Sequence, residues 1–377
     1  MKKLKYKKRI LVLSTNRSDY GLLKNLILEL NKNKNFHVNL VVSGSHLIKN
    51  YGYTINEIRK DKIEVFKRIK INYNNDTPFG VGKFNLDSSQ KFNKFLSKNK
   101  FDILIVLGDR TEILFNSILA MMHNIKIVHI HGGEITKGAI DNDIRNAISQ
   151  ISNLHFVSHK KYKKNLIKLG INKNKIHVAG GLGASAIKKS KILSKKILEK
   201  KFKIKLNKKY LLVSYHPVTS KKYYSKTEFL NLMDCLNKFD NVIKIITSPN
   251  IDSKNFEILE IIDHFIKNFR NFYFFKSLGS LNYLSFLKYS EGVVGNSSSG
   301  ILEAPSFKIP TLNIGNRQLG RLYSKSIINV DNKKTNLINA LNKILKDKKF
   351  KIKLKKTKNI YYQTETEKKI IKELLKL

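Results

Sequence analysis

The feature that most constrains the fold is a strand, helix, strand pattern in residues 101–145. Residues 103–107 form a continuous apolar run closed by Gly108, which is typical of a strand buried on both faces. A helix-like segment around residues 118–122 and a second apolar run, 125–130, follow it. Polar residues come directly after each run. Because ligands bind at the carboxyl ends of parallel strands, this edge is the predicted active site.

The same alternation of strand-like and helical patterns recurs in the second half of the chain, from residue 210 onward. It predicts a doubly wound α/β fold with parallel sheets. Because 377 residues exceed what one core usually covers, we expect two domains. The predicted domains are 1–188 and 189–358, with a helix in 359–377 packing back on the first domain. Residues 76–80 and 180–183 are predicted to be loops.

Composition excludes several classes of protein. The apolar fraction of 41% is sufficient for folded cores, and no apolar run approaches the roughly 18 residues that a membrane helix needs. The apolar stretch at residues 10–13 is too short for a secretory signal. A single cysteine, Cys235, rules out an internal disulfide framework and a cysteine-based zinc site. We therefore expect a cytoplasmic protein.

The formal charge of +45 raises the alternative of a nucleic-acid-binding protein. That function requires basic residues clustered on one face, whereas lysine is spread along this whole chain. We therefore expect only weak, nonspecific adhesion to nucleic acids. A positive field would still draw anionic nucleotide sugars toward a cleft.

A run of small hydroxyl residues predicts an anion site in the second half. Asn296 is followed by three serines, a glycine and a helical pattern, and helix amino termini attract phosphate. A serine that merely caps a helix is the alternative, but the run is longer than capping needs. Guanidinium groups suit phosphate oxygens, although each could instead form a surface ion pair. The candidate nucleotide ligands are Ser297, Ser298, Ser299, Glu303, Arg17, Arg317 and Arg321.

Acidic and histidine side chains predict acid–base chemistry in the first half. Several carboxylates in one pocket shift one another's pKa, which supplies both an acid and a base near neutral pH. The candidates are Asp109, Glu134, Asp141, Asp143, His131 and His216. Asp143 could instead cap the helix that follows it. His129 and His131 lack a nearby third ligand, so no metal site is predicted. The absence of Walker and GxGxxG motifs disfavours P-loop and nicotinamide enzymes.

These motifs together resemble a known family, the hydrolysing UDP-N-acetylglucosamine 2-epimerases of nonulosonic acid synthesis. The resemblance covers nearly the whole chain, and the order and spacing of its motifs are specific. The motifs are TNRSDY (15–20), GSHL (44–47), GDR (108–110), HIHGGE (129–134), DNDIR (141–145), HPVT (216–219), SPNID (248–252), GNSSSG (295–300) and GNRQLGR (315–321).

The resemblance implies a GT-B architecture, in which two Rossmann-like domains enclose a nucleotide bound mainly by the second. It implies that uridine diphosphate contacts Arg17, Ser297, Ser298, Glu303 and Arg321. The sugar would be surrounded by Asp109, Glu134, Asp141 or Asp143, and His216. Some relatives carry glutamate where this chain has His131, so that carboxylate is either replaced by His131 or supplied by Glu134. The resemblance also favours a homo-oligomer.

The implied reaction converts UDP-N-acetylglucosamine to N-acetylmannosamine and UDP through a 2-acetamidoglucal, without a cofactor or metal. Arginine side chains and helix N–H groups would neutralise the leaving diphosphate. Asp109 or the Asp141/Asp143 pair would act as base, and Glu134 or His131 would handle acid and water. Alternatives are the same reaction on UDP- or GDP-linked N,N′-diacetylbacillosamine, a GT-B glycosyltransferase and a basic nucleic-acid-binding protein.

Overall fold

The computed structural model describes residues 6–73, 75–137, 139–218, 225–249 and 255–377. The strands of the first half are β1 (Lys8–Ser14), β2 (Phe36–Val42), β3 (Lys67–Arg68), β4 (Ile103–Leu107), β5 (Lys126–Ile130), β6 (Leu154–Val157) and β7 (Ile176–Val178). They form one sheet in the order β3-β2-β1-β4-β5-β6-β7, and every pair is parallel. The winding of this sheet reverses between β1 and β4.

A second parallel sheet follows in the other half. Its strands are β8 (Lys209–Ser214), β9 (Val242–Thr247), β10 (Phe272–Phe275), β11 (Gly292–Gly295), β12 (Thr311–Ile314) and β13 (Ile327–Val330). Their order is β10-β9-β8-β11-β12-β13, so this sheet reverses its winding between β8 and β11. At such a reversal, the loops after neighbouring strands diverge and leave a crevice.

Helices cover both faces of each sheet. They are α1 (Arg17–Asn31), α2 (Ile55–Lys60), α3 (Pro78–Leu96), α4 (Thr111–Met122), α5 (Asp141–Gln150), α6 (Lys160–Lys168), α7 (Leu182–Lys189), α8 (Lys195–Phe202), α9 (Ser225–Asn237), α10 (Asn255–Asn268), α11 (Ser280–Tyr289), α12 (Ser299–Leu302), α13 (Lys334–Lys346), α14 (Lys348–Lys355) and α15 (Thr366–Leu374). In the first half, α1, α2 and α15 share one apolar cluster, and α3, α4 and α5 share another. In the second half, α9, α10 and α13 lie on one face, with α8 and α11 on the other. The predicted doubly wound GT-B fold is confirmed.

The end of the chain returns to the first half. Ile370 and Leu374 of α15 belong to the same apolar cluster as Leu26 of α1. A smaller cluster joins the two halves and includes Tyr162 and Tyr361, whose hydroxyls lie 2.7 Å apart. The domain boundaries near residues 188 and 358 stay a prediction.

Two segments predicted to be loops are partly helical. Residues 78–80 open α3, because the Thr77 hydroxyl accepts a hydrogen bond from the Gly80 N–H (3.1 Å) and Pro78 occupies the first turn. Residues 182 and 183 begin α7. A Cβ on Gly183 would lie 2.9 Å from a methyl of Leu22, so this glycine serves close helix packing instead of a loop.

Within the described residues, no helix is both long and apolar enough to cross a membrane. Thr219 of the HPVT motif lies outside the described residues. So do residues 250–252 of the SPNID motif.

Candidate active site

The carboxyl edges of the two sheets face each other across one cleft. Its walls include the loops after β1 and β4 in the first half and after β8 and β11 in the second, where each sheet reverses its winding. Residues that follow β5, β10 and β12 also line it. Doubly wound folds bind ligands at such reversals. The predicted site residues that line the cleft are Arg17, Asp109, His131, Glu134, Asp141, His216, Ser297, Ser298, Ser299, Glu303, Arg317 and Arg321.

The structure does not bring Asp143 to the cleft. Asp141 opens α5 and points its carboxylate at Arg317 (3.2 Å), whereas Asp143 is exposed to solvent. Two positions along an α-helix correspond to about 200° around its axis, so these two acids cannot face the same cleft. Arg145, four positions after Asp141, returns to the inner face. Of these two acids, only Asp141 lines the cleft.

Asp109 is held by a buried arginine. It follows Gly108, whose φ of 79° turns the chain at the end of β4, and its carboxylate forms an ion pair with Arg145. Arg145 also donates hydrogen bonds to the carbonyl of Glu134 (2.6 Å) and to Oγ1 of Thr136 (3.1 Å). Burial alone would raise the pKa of Asp109, but the adjacent guanidinium groups, Arg145 first among them, lower it. Asp109 is therefore ionised near neutral pH and can accept a proton.

A buried histidine supports the turn that presents Asp109. Nε2 of His129 lies 2.7 Å from the carbonyl of Gly108, and its Nδ1 lies 3.0 Å from the hydroxyl of Ser149. Burial lowers the pKa of His129 to about 3, so the ring is neutral, with Nε2 donating and Nδ1 accepting. His129 thus fixes the chain beside Asp109. Among the described residues, no group of three or more His, Cys, Asp or Glu side chains could hold a metal ion.

Glu134 is an ion-pair partner across the cleft. Its carboxylate contacts Arg321 of the second half and accepts a hydrogen bond from the hydroxyl of Ser158 (2.8 Å). Burial would raise the pKa of Glu134, but Arg321 outweighs burial and lowers it. Nδ1 of His131 lies 3.8 Å from the same carboxylate, and its Nε2 accepts from the N–H of Leu182 (3.2 Å). The proton of this neutral ring therefore sits on Nδ1, facing Glu134.

The loop at residues 315–321 carries a second arginine into the cleft. Arg317 pairs with Asp141 and also donates to the carbonyl of Asn296 (3.2 Å), which Gln318 contacts as well (2.9 Å). The side-chain oxygen of Asn296 accepts a hydrogen bond from the backbone N–H of His216 (2.7 Å), and its side-chain nitrogen donates to the carbonyl of His216 (2.8 Å). Because Asn296 follows β11 and His216 follows β8, these two hydrogen bonds connect the ends of the two strands at the reversal.

The predicted anion site is a short turn of serines. Ser298 precedes α12, which is only four residues long. The N–H of Ser299 lies 3.4 Å from the hydroxyl of Ser297, and the hydroxyl of Ser299 forms a short hydrogen bond with that of Tyr283. The turn therefore presents hydroxyl groups, without charged partners, to the cleft.

Two titratable groups on the second-half side have shifted pKa values. Burial raises the pKa of Glu303 to about 7, and its carboxylate has no hydrogen-bond partner among the described residues. The close approach of Glu303 to α7 requires Gly183, where an added Cβ would lie 3.1 Å from the carboxylate. Burial, reinforced by nearby arginines, lowers the pKa of His216 well below its usual range. His216 is therefore a neutral group of the site.

Arg17 crosses from one half to the other. It is the first residue of α1, whose amino terminus is closed by reciprocal hydrogen bonds between Asn16 and Asp19. Its guanidinium donates to the carbonyl of Ser248 (2.6 Å), which follows β9, and to that of Lys276, which follows β10. Arg17 thus reaches the carboxyl edge of the second sheet from the end of β1.

Arginine usage was the signal that sequence reasoning missed. Nine of the 73 basic residues are arginines, yet five of these nine line the cleft, with no lysine among the described lining residues. In a chain this rich in lysine, the few arginines indicate positions that need a planar, bidentate donor. That count would have found Arg110 and Arg145. Tyr283, Asn296 and Gln318 also line or brace the cleft, and no pattern of spacing singles out Tyr283 or Gln318.

Comparisons with known proteins identify a family and several similar chains. The family model described as UDP-N-acetylglucosamine 2-epimerase matches residues 28–375. The chain is 38% identical to a GDP/UDP-N,N′-diacetylbacillosamine 2-epimerase (hydrolyzing) of Campylobacter jejuni over 92% of this chain and 89% of that protein. It is 34% identical to polysialic acid biosynthesis protein P7 of Escherichia coli, over 94% and 90%. It is 30% identical to a UDP-N,N′-diacetylbacillosamine 2-epimerase (hydrolyzing) of Legionella pneumophila, over 91% and 90%.

Solved structures share the fold at lower sequence identity. The crystal structure of UDP-GlcNAc 2-epimerase from Neisseria meningitidis bound to UDP-GlcNAc has a TM-score of 0.83 and 19% identity. The match covers 98% of this chain and all of that one. The same two-domain fold therefore occurs in a protein crystallised with a nucleotide sugar.

Proposed function

Because the chain belongs to the UDP-N-acetylglucosamine 2-epimerase family, we propose that it is a hydrolysing 2-epimerase that releases UDP from a UDP-linked 2-acetamido sugar. One observation carries the proposal. Asp109, after β4 of the first sheet, and Ser298, after β11 of the second, line the same cleft. Acids suited to proton transfer therefore share one cleft with a turn suited to a diphosphate.

The second half would bind the leaving group. Arg317 and Arg17 place guanidinium groups at the cleft, and the serine turn offers hydroxyl donors. Guanidinium–phosphate contacts are strong because they are charge-assisted and bidentate. Glu303, which lacks a partner among the described residues, would accept a hydrogen bond from a ribose hydroxyl. The uridine diphosphate would thus lie along the second sheet's edge.

The first half would act on the sugar. A carboxylate base removes the proton at C2 while the C1–O bond breaks and its electron pair leaves with UDP, which gives a glycal. Water then adds its oxygen to C1 and releases one proton, and C2 receives a proton on the face opposite to the one that lost it. Asp109 or Asp141 would be the base, since both are carboxylates of this edge and Asp143 is not.

The opposite face needs a proton donor. Glu134 and His131 lie 3.8 Å apart and both line the cleft. Because Glu134 is ionised and burial keeps the His131 ring neutral by lowering its pKa, this pair would orient the water, take the proton that the water releases and pass a proton to C2. His216 would contact the sugar or the diphosphate. Cleavage of the C1–O bond builds positive charge on the sugar, which the ionised carboxylates would stabilise.

The identity of the sugar is a separate part of the proposal. UDP-N-acetylglucosamine, yielding N-acetylmannosamine, is the expectation from sequence. The relatives from C. jejuni and L. pneumophila, at 38% and 30% identity, are named for N,N′-diacetylbacillosamine, and this likeness supports the UDP- or GDP-linked form of that sugar more strongly. A cytoplasmic location and a homo-oligomeric state stay predictions from the sequence.

The test is incubation of the protein with UDP-N-acetylglucosamine and with UDP- and GDP-N,N′-diacetylbacillosamine, without any acceptor. Free nucleotide and the configuration of the released sugar at C2 are followed by NMR. We expect nucleotide release with inversion at C2 for at least one substrate. Release only after an acceptor is added would identify a glycosyltransferase and overturn the proposal.

A further inference from the structure

One segment of the second half contacts both the cleft and the first half. Residues 277–280 include the end of the loop after β10 and the first residue of α11, and Leu278, Gly279 and Ser280 line the cleft. This 277–280 segment lies on the second-half wall that we assign to the nucleotide. Its other side is covered by residues of α2 and of the turn before it.

The main contact comes from Glu57 in the first turn of α2. Its carboxylate accepts a hydrogen bond from the hydroxyl of Ser277 (3.0 Å) and another from the N–H of Ser280 (3.2 Å). Ser280 is the first residue of α11, so an acid of one half caps a helix of the other. Glu57 does not itself line the cleft.

Glycines let the two halves approach closely at this segment. Gly279 has a φ of 74°, and an added Cβ there would lie 3.1 to 3.3 Å from the carboxylate atoms of Glu57. An added Cβ on Gly52 would lie 2.8 Å from that of Ser277, and one on Gly21 would lie 3.1 Å from the hydroxyl of Ser280. Backbone of the first half therefore contacts this segment along its length.

We propose that Glu57 is a positioning residue for nucleotide binding, which holds the 277–280 segment in its binding conformation from outside the cleft and from the opposite half. The proposal rests on the proposed function, because it assumes that the segment contacts the nucleotide. It assigns a role in affinity to a residue that touches no substrate. Turnover, which takes place at the edge of the first sheet, depends on Glu57 much less.

The physical reason is a cost of ordering. Without the carboxylate, the hydroxyl of Ser277 and the N–H of Ser280 lose their shared acceptor, and the segment can leave the wall of the cleft. The ligand must then order the segment. The apparent affinity falls in proportion to the fraction of molecules whose segment is in the binding conformation. A loss of about tenfold in affinity corresponds to about 1.4 kcal/mol, which is the size expected for a charge-assisted hydrogen bond.

The chain contains a matched control for this contact. Asp76 also belongs to the first half and also caps a helix of the second, since its carboxylate accepts from the N–H of Phe256 in the first turn of α10 (2.7 Å). Neither Asp76 nor Phe256 lines the cleft. Replacing Asp76 thus removes the same kind of contact, an acid of the first half that accepts from a helix N–H of the second, and leaves the 277–280 segment in place.

The experiment measures UDP binding by titration calorimetry in the wild type, Glu57→Ala, Glu57→Gln and Asp76→Ala. We expect Glu57→Ala to raise the Kd for UDP about tenfold and Asp76→Ala to leave it within about twofold. Glu57→Gln keeps an oxygen that can accept from Ser280, so its Kd should fall between those of the wild type and Glu57→Ala. In steady-state assays, the KM of Glu57→Ala should rise while kcat changes less than about twofold.

Several outcomes would overturn the proposal. Wild-type UDP affinity in Glu57→Ala would do so, as would an equal loss in Asp76→Ala, which would indicate general loosening of the contact between the halves. Thermal unfolding of each variant identifies any that fails to fold. If Glu57→Ala does not fold, Glu57→Gln becomes the test, and a wild-type Kd of that variant for UDP overturns the proposal. If the wild type binds no UDP and releases none from any substrate, the proposed function fails instead, and the two failures are thereby distinguished.

Discussion

The two walls of the cleft differ in how their charges are arranged. On the first-half wall, three carboxylates each pair with an arginine: Asp109 with Arg145, Glu134 with Arg321, and Asp141 with Arg317. Apart from Arg317 and Arg321, which complete two of these pairs, the second-half wall presents serine hydroxyls and one carboxyl group, Glu303, which has no hydrogen-bond partner among the described residues. Fixed, paired charges suit proton transfer, because they need no reorganisation as charge develops. Uncharged donors suit a ligand that brings its own charge.

The arginine pairs themselves are unequal. The Glu134 and Arg321 side chains are 2% and 6% exposed, whereas those of Asp141 and Arg317 are 17% and 11% exposed. An ion pair that is fully removed from water resists separation, because either charge left alone would be costly. We therefore expect Arg317 to exchange its carboxylate for a diphosphate on binding. Arg321 should remain with Glu134 and hold the two halves together.

The largest expected effect concerns the acids of the first-half wall. Asp109→Asn removes a base that is ionised because of Arg145 and should lower the rate of UDP release by at least about a hundredfold. UDP affinity should change little, because the second wall is untouched. Asp143→Asn is the matched control: it changes an exposed acid outside the cleft and should leave turnover near normal. Near-normal turnover in Asp109→Asn would remove this residue from the mechanism.

A second experiment compares Arg317 and Arg321, the two arginines of the second half that pair with acids of the first. Arg321→Met leaves Glu134 buried without its partner and should lower the free energy of unfolding by about 3 kcal/mol. Adding Glu134→Gln to this variant should restore much of that loss. Arg317→Met should cost about 1 kcal/mol or less while raising the KM for the nucleotide sugar. Denaturant titrations measure the difference, and equal costs for the two variants would refute the assigned division of roles.

The second-half wall should show a dependence on pH. Because the pKa of Glu303 is raised to about 7, its ionised fraction falls as the pH drops through 7. The ionised carboxylate is the stronger acceptor for a ribose hydroxyl, so UDP binding should weaken below this pH. Glu303→Gln should raise the Kd about tenfold above pH 7 and lose this component of the pH dependence. Calorimetry at several pH values checks it, with the variant controlling for the titration of UDP.

The same pKa shift has a consequence for stability. The pKa of Glu303 in the folded protein lies above that of an unfolded chain, about 4.3, so folding favours the protonated form. The stability that this group contributes is fully present below the unfolded value and is lost as the pH rises through 7. Relative to Glu303→Gln, the wild type should therefore become less stable between those limits. An opposite trend in denaturant titrations would contradict the assigned environment.

The smallest expected effect concerns the serine turn. Ser298→Ala removes one neutral hydroxyl, and a net hydrogen bond of this kind contributes about 0.5 to 1 kcal/mol. The Kd for UDP should rise about threefold, with kcat unchanged. A larger fall in kcat than in affinity would indicate that Ser298 takes part in the chemical step. It would contradict the assignment of nucleotide binding to the second-half wall and of proton transfer to the first-half wall.

The sequence allowed the cleft to be predicted because strand ends in parallel sheets meet at one edge. That rule placed Asp109, Glu134 and His216 near the serine turn without knowledge of any contact. It failed for Asp143, because an acid two positions along a helix points away from its neighbour. It also treated Gly183 as part of a loop, whereas the structure uses this glycine for helix packing.

Sequence patterns could not predict which side chains of the two halves contact each other. Arg321 and Glu134 are far apart in the chain, and only the packing of the two halves brings them together. The same holds for Glu57 and Ser280. Arg145 could have been predicted from the sequence. Arginine is scarce in this lysine-rich chain, so each arginine indicates a position that needs a planar, bidentate donor.

The most direct test of the account is the reaction in deuterium oxide, with the released sugar examined by NMR and mass spectrometry. Removal of the C2 proton and reprotonation from the other face predict a C2-inverted sugar carrying one deuterium at C2, together with free nucleotide. A released sugar that keeps its original hydrogen and configuration at C2 would identify simple hydrolysis. It would contradict the assignment of the first-half wall to proton transfer.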